Sequence, residues 1–291
     1  MSTDLRLGLT LMAGVLAATA AGISPALADE SPFGTVYTTD TLPAGAAEIE
    51  QWATWRSGKP HESYQTLRGR TEYEYGITND FQISGYANYA WLHEMPGESH
   101  ARFTGVSAEA IYRIWDPYTH PFGVALYLEP AIGPDMREVE AKLLLQKNFL
   151  DDRLVLAANA VLEDEWAHAA ADPAATPGSP DAFAHWNTNT ELKLLIGASY
   201  RFAPNWSAGA EFEAKREYDG LLIWDHVTAA ADSYFFGPTL HYAARNYFVT
   251  LSTQAQLPWA ANLSGEPGET VNGFAHEEER YRVQLRIGIQ V

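Results

Sequence analysis

The chain contains no cysteine, so neither a disulfide framework nor a thiolate metal centre is open to it. Basic residues are scarce: 19 Lys and Arg against 37 Asp and Glu leave a formal net charge of −18. That balance excludes nucleic acid as a partner, because phosphate neutralisation needs Lys and Arg in excess. Long apolar runs are also missing beyond the N-terminus, where no stretch approaches the ~20 residues of a membrane helix. A helical membrane protein is thereby excluded. A membrane barrel is not, since a barrel strand shows its apolar face only in every second residue.

The one apolar run, RLGLTLMAGVLAATAAGISPALA, ends in Ala26, Leu27 and Ala28. It reads as a secretory signal peptide over residues 1–28 with cleavage before Asp29, although Asp4 weakens its charged start. Residues 29–45 are then a periplasmic lead-in, or fold partly into the lumen of a barrel formed by residues 46–291.

What the rest of the sequence has in abundance is alternation. At the C-terminus Tyr281, Val283, Leu285, Ile287, Ile289 and Val291 alternate with Arg282, Gln284, Arg286, Gly288 and Gln290. Period-two alternation marks a β-strand whose faces meet different surroundings. The same pattern recurs upstream, as in Thr71, Tyr73 and Tyr75 against Arg70, Glu72 and Glu74, or Val139, Ala141, Leu143 and Leu145 against Glu140, Lys142 and Gln146. About twelve such segments are expected, many of them longer than the 5–6 residues typical of soluble strands. Their connections alternate in length. Turns near 76–80, 116–121, 148–152, 203–205 and 243–246 are short, whereas those near 57–63, 93–101, 131–137, 164–188, 218–232 and 258–277 are longer.

The pattern predicts an all-β fold: a transmembrane, antiparallel, up-and-down barrel with short periplasmic turns and longer extracellular loops. The last strand pairs with the first to close it, because an open sheet edge in hydrocarbon would leave backbone groups unpaired. Tyr75, Phe81, Trp115, Phe122, Phe202, Trp206, Tyr242 and Tyr247 gather on the short-turn side, where an aromatic girdle would meet the membrane interface. Two residues resist the pattern. Pro238 falls on the proposed lipid face of the tenth strand and suggests a bulge or a different register, and Gln51 sits among apolar neighbours in the first.

The polar faces place Arg68, Arg70, Glu72, Glu74, Glu109, Arg113, Glu140, Lys142, Glu191, Lys193, Glu211, Glu213, Lys215, Arg282 and Arg286 toward the lumen. With Glu48, Glu50, Glu129, Arg56 and Arg201 added, acids and bases are equal in number, so the excess negative charge belongs to loops and tail. Opposite charges on one sheet face can pair across strands. Selectivity for one ion sign would instead call for rings of a single sign. The lining therefore suits either a water-filled passage that orients a small solute or a salt-bridged interior that nearly closes.

His61, His93, His100, His168, His185, His226 and His276 fall in or beside the outer loops, some next to carboxylates. Their spacing matches no metal motif, so no metal and no cofactor is expected. The stretch HESY, His61 to Tyr64, offers a serine close to a histidine, the pair that a membrane hydrolase would need. No G-x-S-x-G elbow accompanies it, and no enzyme is expected.

Several stretches resemble an uncharacterised family of bacterial outer-membrane proteins, domain of unknown function 6662. They are TLPAGAAEIEQWATWRSGK, EYEYGITNDFQISGY, DPYTHPFGVALYLEP, KLLLQKNFLDDRLVLAAN and GASYRFAPNWSAGAEFEA, in order along most of the chain. More loosely, the hairpins resemble barrels named as transporters of the phenol-degradation MetA pathway. The resemblance implies an outer-membrane barrel of a Gram-negative bacterium, in contact with lipid and lipopolysaccharide and inserted by the barrel-assembly machinery. It carries no catalytic or ligand residues. One departure is Val291 at the end of the last strand, where such barrels usually present an aromatic. The expected function is a passive channel or facilitator for small solutes. The alternative is a structural or surface-binding barrel with a closed lumen, and a membrane-embedded hydrolase ranks behind both.

Overall fold

Each alternating segment forms a strand in the computed structural model, which describes residues 31–59, 65–94, 98–171, 182–225 and 227–291. The signal-peptide segment 1–28 and the HESY stretch lie outside the described residues, as does His226. Twelve strands build the wall: β1 (Ala47–Ser57), β2 (Gln65–Thr78), β3 (Phe81–Glu94), β4 (Glu98–Trp115), β5 (Gly123–Ile132) and β6 (Met136–Phe149), then β7 (Leu154–Ala169), β8 (His185–Ala203), β9 (Trp206–Asp219), β10 (Thr228–Ala243), β11 (Tyr247–Gln256) and β12 (Tyr281–Gln290). Every strand pairs antiparallel with its sequence neighbour. β12 closes the circle by pairing with β1 from Glu48↔Gln290 to Ser57↔Tyr281 and with β11 from Tyr247↔Ile289 to Ala255↔Tyr281.

Turn chemistry explains the tight end. Between β6 and β7 the chain reverses through Leu150, Asp151 and Asp152, all left-handed at φ 57°, 54° and 59°, a conformation to which Asp is better suited than most residues. Two outer connections are shorter than expected, for β3 ends at Glu94 and β4 already starts at Glu98, and β5 and β6 are joined as briefly. Alternation continues past Pro130, so β5 reaches Ile132, β6 starts at Met136, and only residues 133–135 join them.

The wall is inside out relative to a soluble protein. Leu126 and Leu128 are each 49% exposed on the outer face, whereas Glu50 and Glu211 on the inner face are completely buried. A continuous exposed apolar belt on a closed sheet is the surface a lipid bilayer accommodates. The polar exceptions on the outer face are internally satisfied. Gln51 donates from Nε2 to the Arg70 carbonyl at 2.8 Å and to the Tyr89 hydroxyl at 2.5 Å, and accepts from the Thr71 hydroxyl at 2.8 Å. Near the loop end Arg216 meets Asp232 directly across strands through two bonds of 2.7 and 2.9 Å. Pro238 produces no bulge. The β10–β11 ladder lapses opposite Gly237 and Pro238, then resumes in the same register at Thr239↔Ser252.

Candidate functional site: an occupied lumen

The interior is filled by the chain's own beginning. Residues 31–46, SPFGTVYTTDTLPAGA, lack any alternation that would enlist them in the wall. They enter beside the β2–β3 turn, where the Gly45 amide donates to the Gly76 carbonyl at 2.8 Å. Gly76 is needed there, since a Cβ would come within 2.2 Å of the Pro43 carbonyl oxygen. From that point the segment runs through a series of bends to Phe33 and Ser31, both buried.

Wall backbone groups are already spent on their ladders, so the segment's amides must find other acceptors. Side chains supply them. Gln82 Oε1 accepts from the Leu42 amide at 2.8 Å, and Gln146 Oε1 from Thr39 at 2.7 Å. Asn159 accepts from the Tyr37 amide at 2.7 Å and donates to its carbonyl at 2.9 Å. Glu211 Oε1 accepts from the Thr35 and Val36 amides at 2.7 and 3.0 Å, while Ser252 donates to its other oxygen at 2.6 Å. The segment therefore bridges β3, β6, β7, β9 and β11.

Apolar contacts complete the seat. Phe33 and Val36 pack on Ala157, Val161 and Leu195, and Tyr37 packs on the cluster of Ile111, Ala125, Tyr127 and Leu144. A wall with apolar residues on both faces of β5 to β8 thus has an apolar guest inside. Of the side chains that hold this guest, Glu211 belongs to the sequence-based set of charged lining residues, whereas the uncharged Gln82, Gln146 and Asn159 do not. The two-sided apolar character of LVLAANAVL and LKLLIG was the available signal.

Charged residues crowd the rest of the interior, some of them on the same strands as the apolar seat. Arg286 donates to both oxygens of Glu50 at 2.6 and 2.8 Å and lies over Trp52 at 4.5 Å. Arg70 pairs with Glu129 and covers the Tyr86 ring at 3.8 Å. Lys142 reaches Glu140 at 2.8 Å. Higher up, Lys193 bridges Glu163 and Glu191 at 2.6 and 2.7 Å, and Lys215 joins Glu191 at 2.7 Å.

Across the upper mouth, the segment between β11 and β12 turns two carboxylates inward. Arg282 binds Glu213 at 3.0 Å, Glu278 at 3.1 Å and Glu279 at 2.5 Å. Glu278 also pairs with Lys215 of β9, and Glu279 with Arg56 of β1 at 3.4 Å. Burial would raise the Glu279 carboxyl, but the Arg282 and Arg56 guanidiniums outweigh it and hold the group down to about 2. A carboxyl depressed below its unfolded value of about 4.3 contributes stability that is complete above that value and lost as pH falls through the folded one. Pepsin cleavage within 257–280 should therefore rise between about pH 4.3 and about pH 2, and less steeply in Glu279→Gln. Equal profiles for the two proteins would refute this account of the mouth.

The residues expected to line the interior divide as follows. Arg70, Glu72, Glu74, Glu109, Glu140, Lys142, Glu191, Lys193, Glu211, Glu213, Lys215, Arg282 and Arg286 point inward and are buried or half-buried. Arg68 shares that face but is exposed. Arg113 is taken up at the lower rim by Asp80 at 3.0 Å and the Asn79 carbonyl at 2.6 Å. Tyr75, Phe81, Trp115, Phe122, Phe202, Trp206, Tyr242 and Tyr247 all sit at the short-turn end, and several touch: Trp115 and Phe122 have ring centroids 5.1 Å apart, Trp206 and Tyr242 4.8 Å. His168 packs against Trp186 and His276 against Glu277, so these two do not converge on a common point.

Solved structures share this architecture. The COG4313 outer membrane channel from Pseudomonas putida F1 aligns over 87% of this chain and 98% of its own, with a TM-score of 0.55 and 10% identity. The NanC porin aligns over 84% and 100%, with a TM-score of 0.50 and 10% identity. At such identities the likeness establishes the fold. No curated protein matches the sequence. Residues 25–291 match the family described as a family of unknown function, DUF6662, and the chain belongs to that family.

Proposed function

We propose that this protein is a non-enzymatic outer-membrane channel for small solutes whose resting lumen is filled by its own N-terminal segment. The observation that carries this reading is how residues 31–44 are held: by wall side chains such as Gln82, Gln146, Asn159 and Glu211, with backbone pairing to the wall confined to Gly45 and Ala46 at Gly76. Such a guest can leave without breaking the barrel. Twelve strands also enclose more space than the small barrels whose interiors side chains fill unaided, which supports an interior sized for something removable. With the segment displaced, one wall would present Ile111, Leu144, Val161 and Leu195 and the other Glu and Arg side chains. That lining suits an amphipathic solute with an apolar body and a charged or polar end. Residues 1–28 would direct export, the apolar belt would meet outer-membrane lipid and lipopolysaccharide, and the barrel-assembly machinery would insert the chain. The expected roles of the inward charges in lining the passage and of the short-turn aromatics as a girdle belong to this same proposal.

Planar-bilayer recordings test it. Residues 29–291 should be silent or conduct rarely, whereas a chain lacking residues 29–45 should give discrete, reproducible steps. Both proteins must first show the shift between boiled and unboiled electrophoretic mobility expected of a folded barrel. A second reading, a closed structural or surface-binding barrel, is favoured by the Arg282 cluster spanning the mouth. Silence from the folded, truncated protein would decide for it.

A further inference from the structure

The lumen holds a feature that neither the plug nor the mouth explains. Register places Glu50 directly opposite Glu72, and Glu48 directly opposite Glu74, on the inner faces of β1 and β2. Like charges so placed destabilise a sheet, yet all four residues are at most 4% exposed. One oxygen from each of Glu50, Glu72 and Glu74 lies within 4.8 Å of the other two. Two of the three have neutral or cationic partners. Arg286 and the Trp52 indole serve Glu50, and Gln82 Nε2 donates to Glu74 at 2.8 Å. Glu72 is different: it is 1% exposed, and neither of its oxygens meets a hydrogen-bond donor among the described residues. Tyr86, opposite it on β3, spends its hydroxyl on Glu109.

We propose that Glu50, Glu72 and Glu74 bind one divalent cation of the calcium or magnesium kind inside the lumen. The Arg286 guanidinium offsets only one of these carboxylates, so the cluster keeps an excess of negative charge that a divalent ion would reduce. Without compensation, a buried carboxylate with no donor is strongly unfavourable. Oxygen ligands alone, with no thiolate and no imidazole in the cluster, select a hard cation. The spacing fits as well, because ligands on opposite sides of a calcium ion are about 4.6–5.2 Å apart. Beside the cluster lies a cavity of about 200 Å³ lined by Glu74, Gln82, Glu109 and Arg286 together with Asp40 of the plug. It gives room for the water ligands that such ions keep. The site stands whether or not the barrel conducts.

The test is calorimetric titration of calcium chloride, and separately magnesium chloride, into the refolded residues 29–291 in detergent after chelator treatment. Terbium luminescence sensitised by Trp52, whose indole donates to Glu50 at 2.6 Å, gives a second readout. One saturable site is expected, weakened at least about tenfold in Glu72→Gln, the scale on which even outer-shell partners act. Glu72→Asp keeps the charge and should retain part of the affinity, so it stands in if Glu72→Gln loses its heat-dependent gel shift. Absence of saturable binding in the parent protein would overturn the proposal, and so would binding that neither Glu72 variant alters. Either result would mean that protons, not an ion, compensate these carboxylates.

Discussion

Replacing Arg282 with alanine is expected to cost the barrel about 3–5 kcal/mol, the usual consequence of removing one partner from a buried ionic cluster. The size follows from what stays behind. Glu213, Glu278 and Glu279 are each at most 7% exposed, and all three direct oxygens at the same guanidinium. Arg282 also covers the Phe235 ring at 3.6 Å. Because it lies on the closing strand β12, the loss should appear in the urea midpoint of the whole wall. The double variant Arg282→Ala with Glu213→Gln should recover part of it, since one of the stranded charges is then gone. A change below about 1 kcal/mol, the size of an exposed ion pair, would show that water already screens the mouth.

Phe33→Ala is expected to undock the plug. Phe33 is fully buried against Ala157, Val161 and Leu195, and a buried Phe truncated to Ala typically costs about 3–5 kcal/mol. Most of that falls on the local equilibrium between the seated and free segment, because the wall's ladders do not involve Phe33. About 3 kcal/mol corresponds to more than roughly a hundredfold in that equilibrium. A chain without cysteine makes the measurement simple. A single Thr38→Cys, at a buried position inside the lumen, should react with a water-soluble maleimide about a hundredfold faster when Phe33→Ala is added. Unchanged labelling would mean that the hydrogen bonds to Glu211, Asn159 and Gln146 hold the segment alone.

The wall was readable because its physics is local. A residue such as Leu126 and its neighbour Tyr127 face opposite media, and period-two alternation records that directly. Even Gln51 and Pro238, which resist the pattern, occupy the faces that alternation gives them. Gln51 is satisfied by Thr71 and Tyr89, and Pro238 costs only a lapse in one ladder. The contents of the lumen were legible only in part. A lead-in folded into the lumen was one expectation, but nothing in SPFGTVYTTD names its seat, because its partners Glu211 and Gln254 lie 176 and 219 residues away. The charged lining was legible as a face, but its pairing was not. Arg113 shares that face and is captured by the β2–β3 turn instead. The bidentate Arg216–Asp232 pair was hidden for the opposite reason, since charge on the outer face contradicts the very pattern that locates the wall.

The plug's long-range anchoring bears on how the molecule is made. Residues 31–46 leave the ribosome before any of the strands that will hold them, yet β9 and β11 must be in place before the Thr35 contacts exist. Contacts across such separations form late, because chain closure must precede them. A wall that seals ahead of its guest would pass through a leaky form, and its lifetime would be set by how quickly the segment finds its seat. Selection on Phe33, Val36 and Tyr37 would then act through assembly speed as well as through the finished barrier.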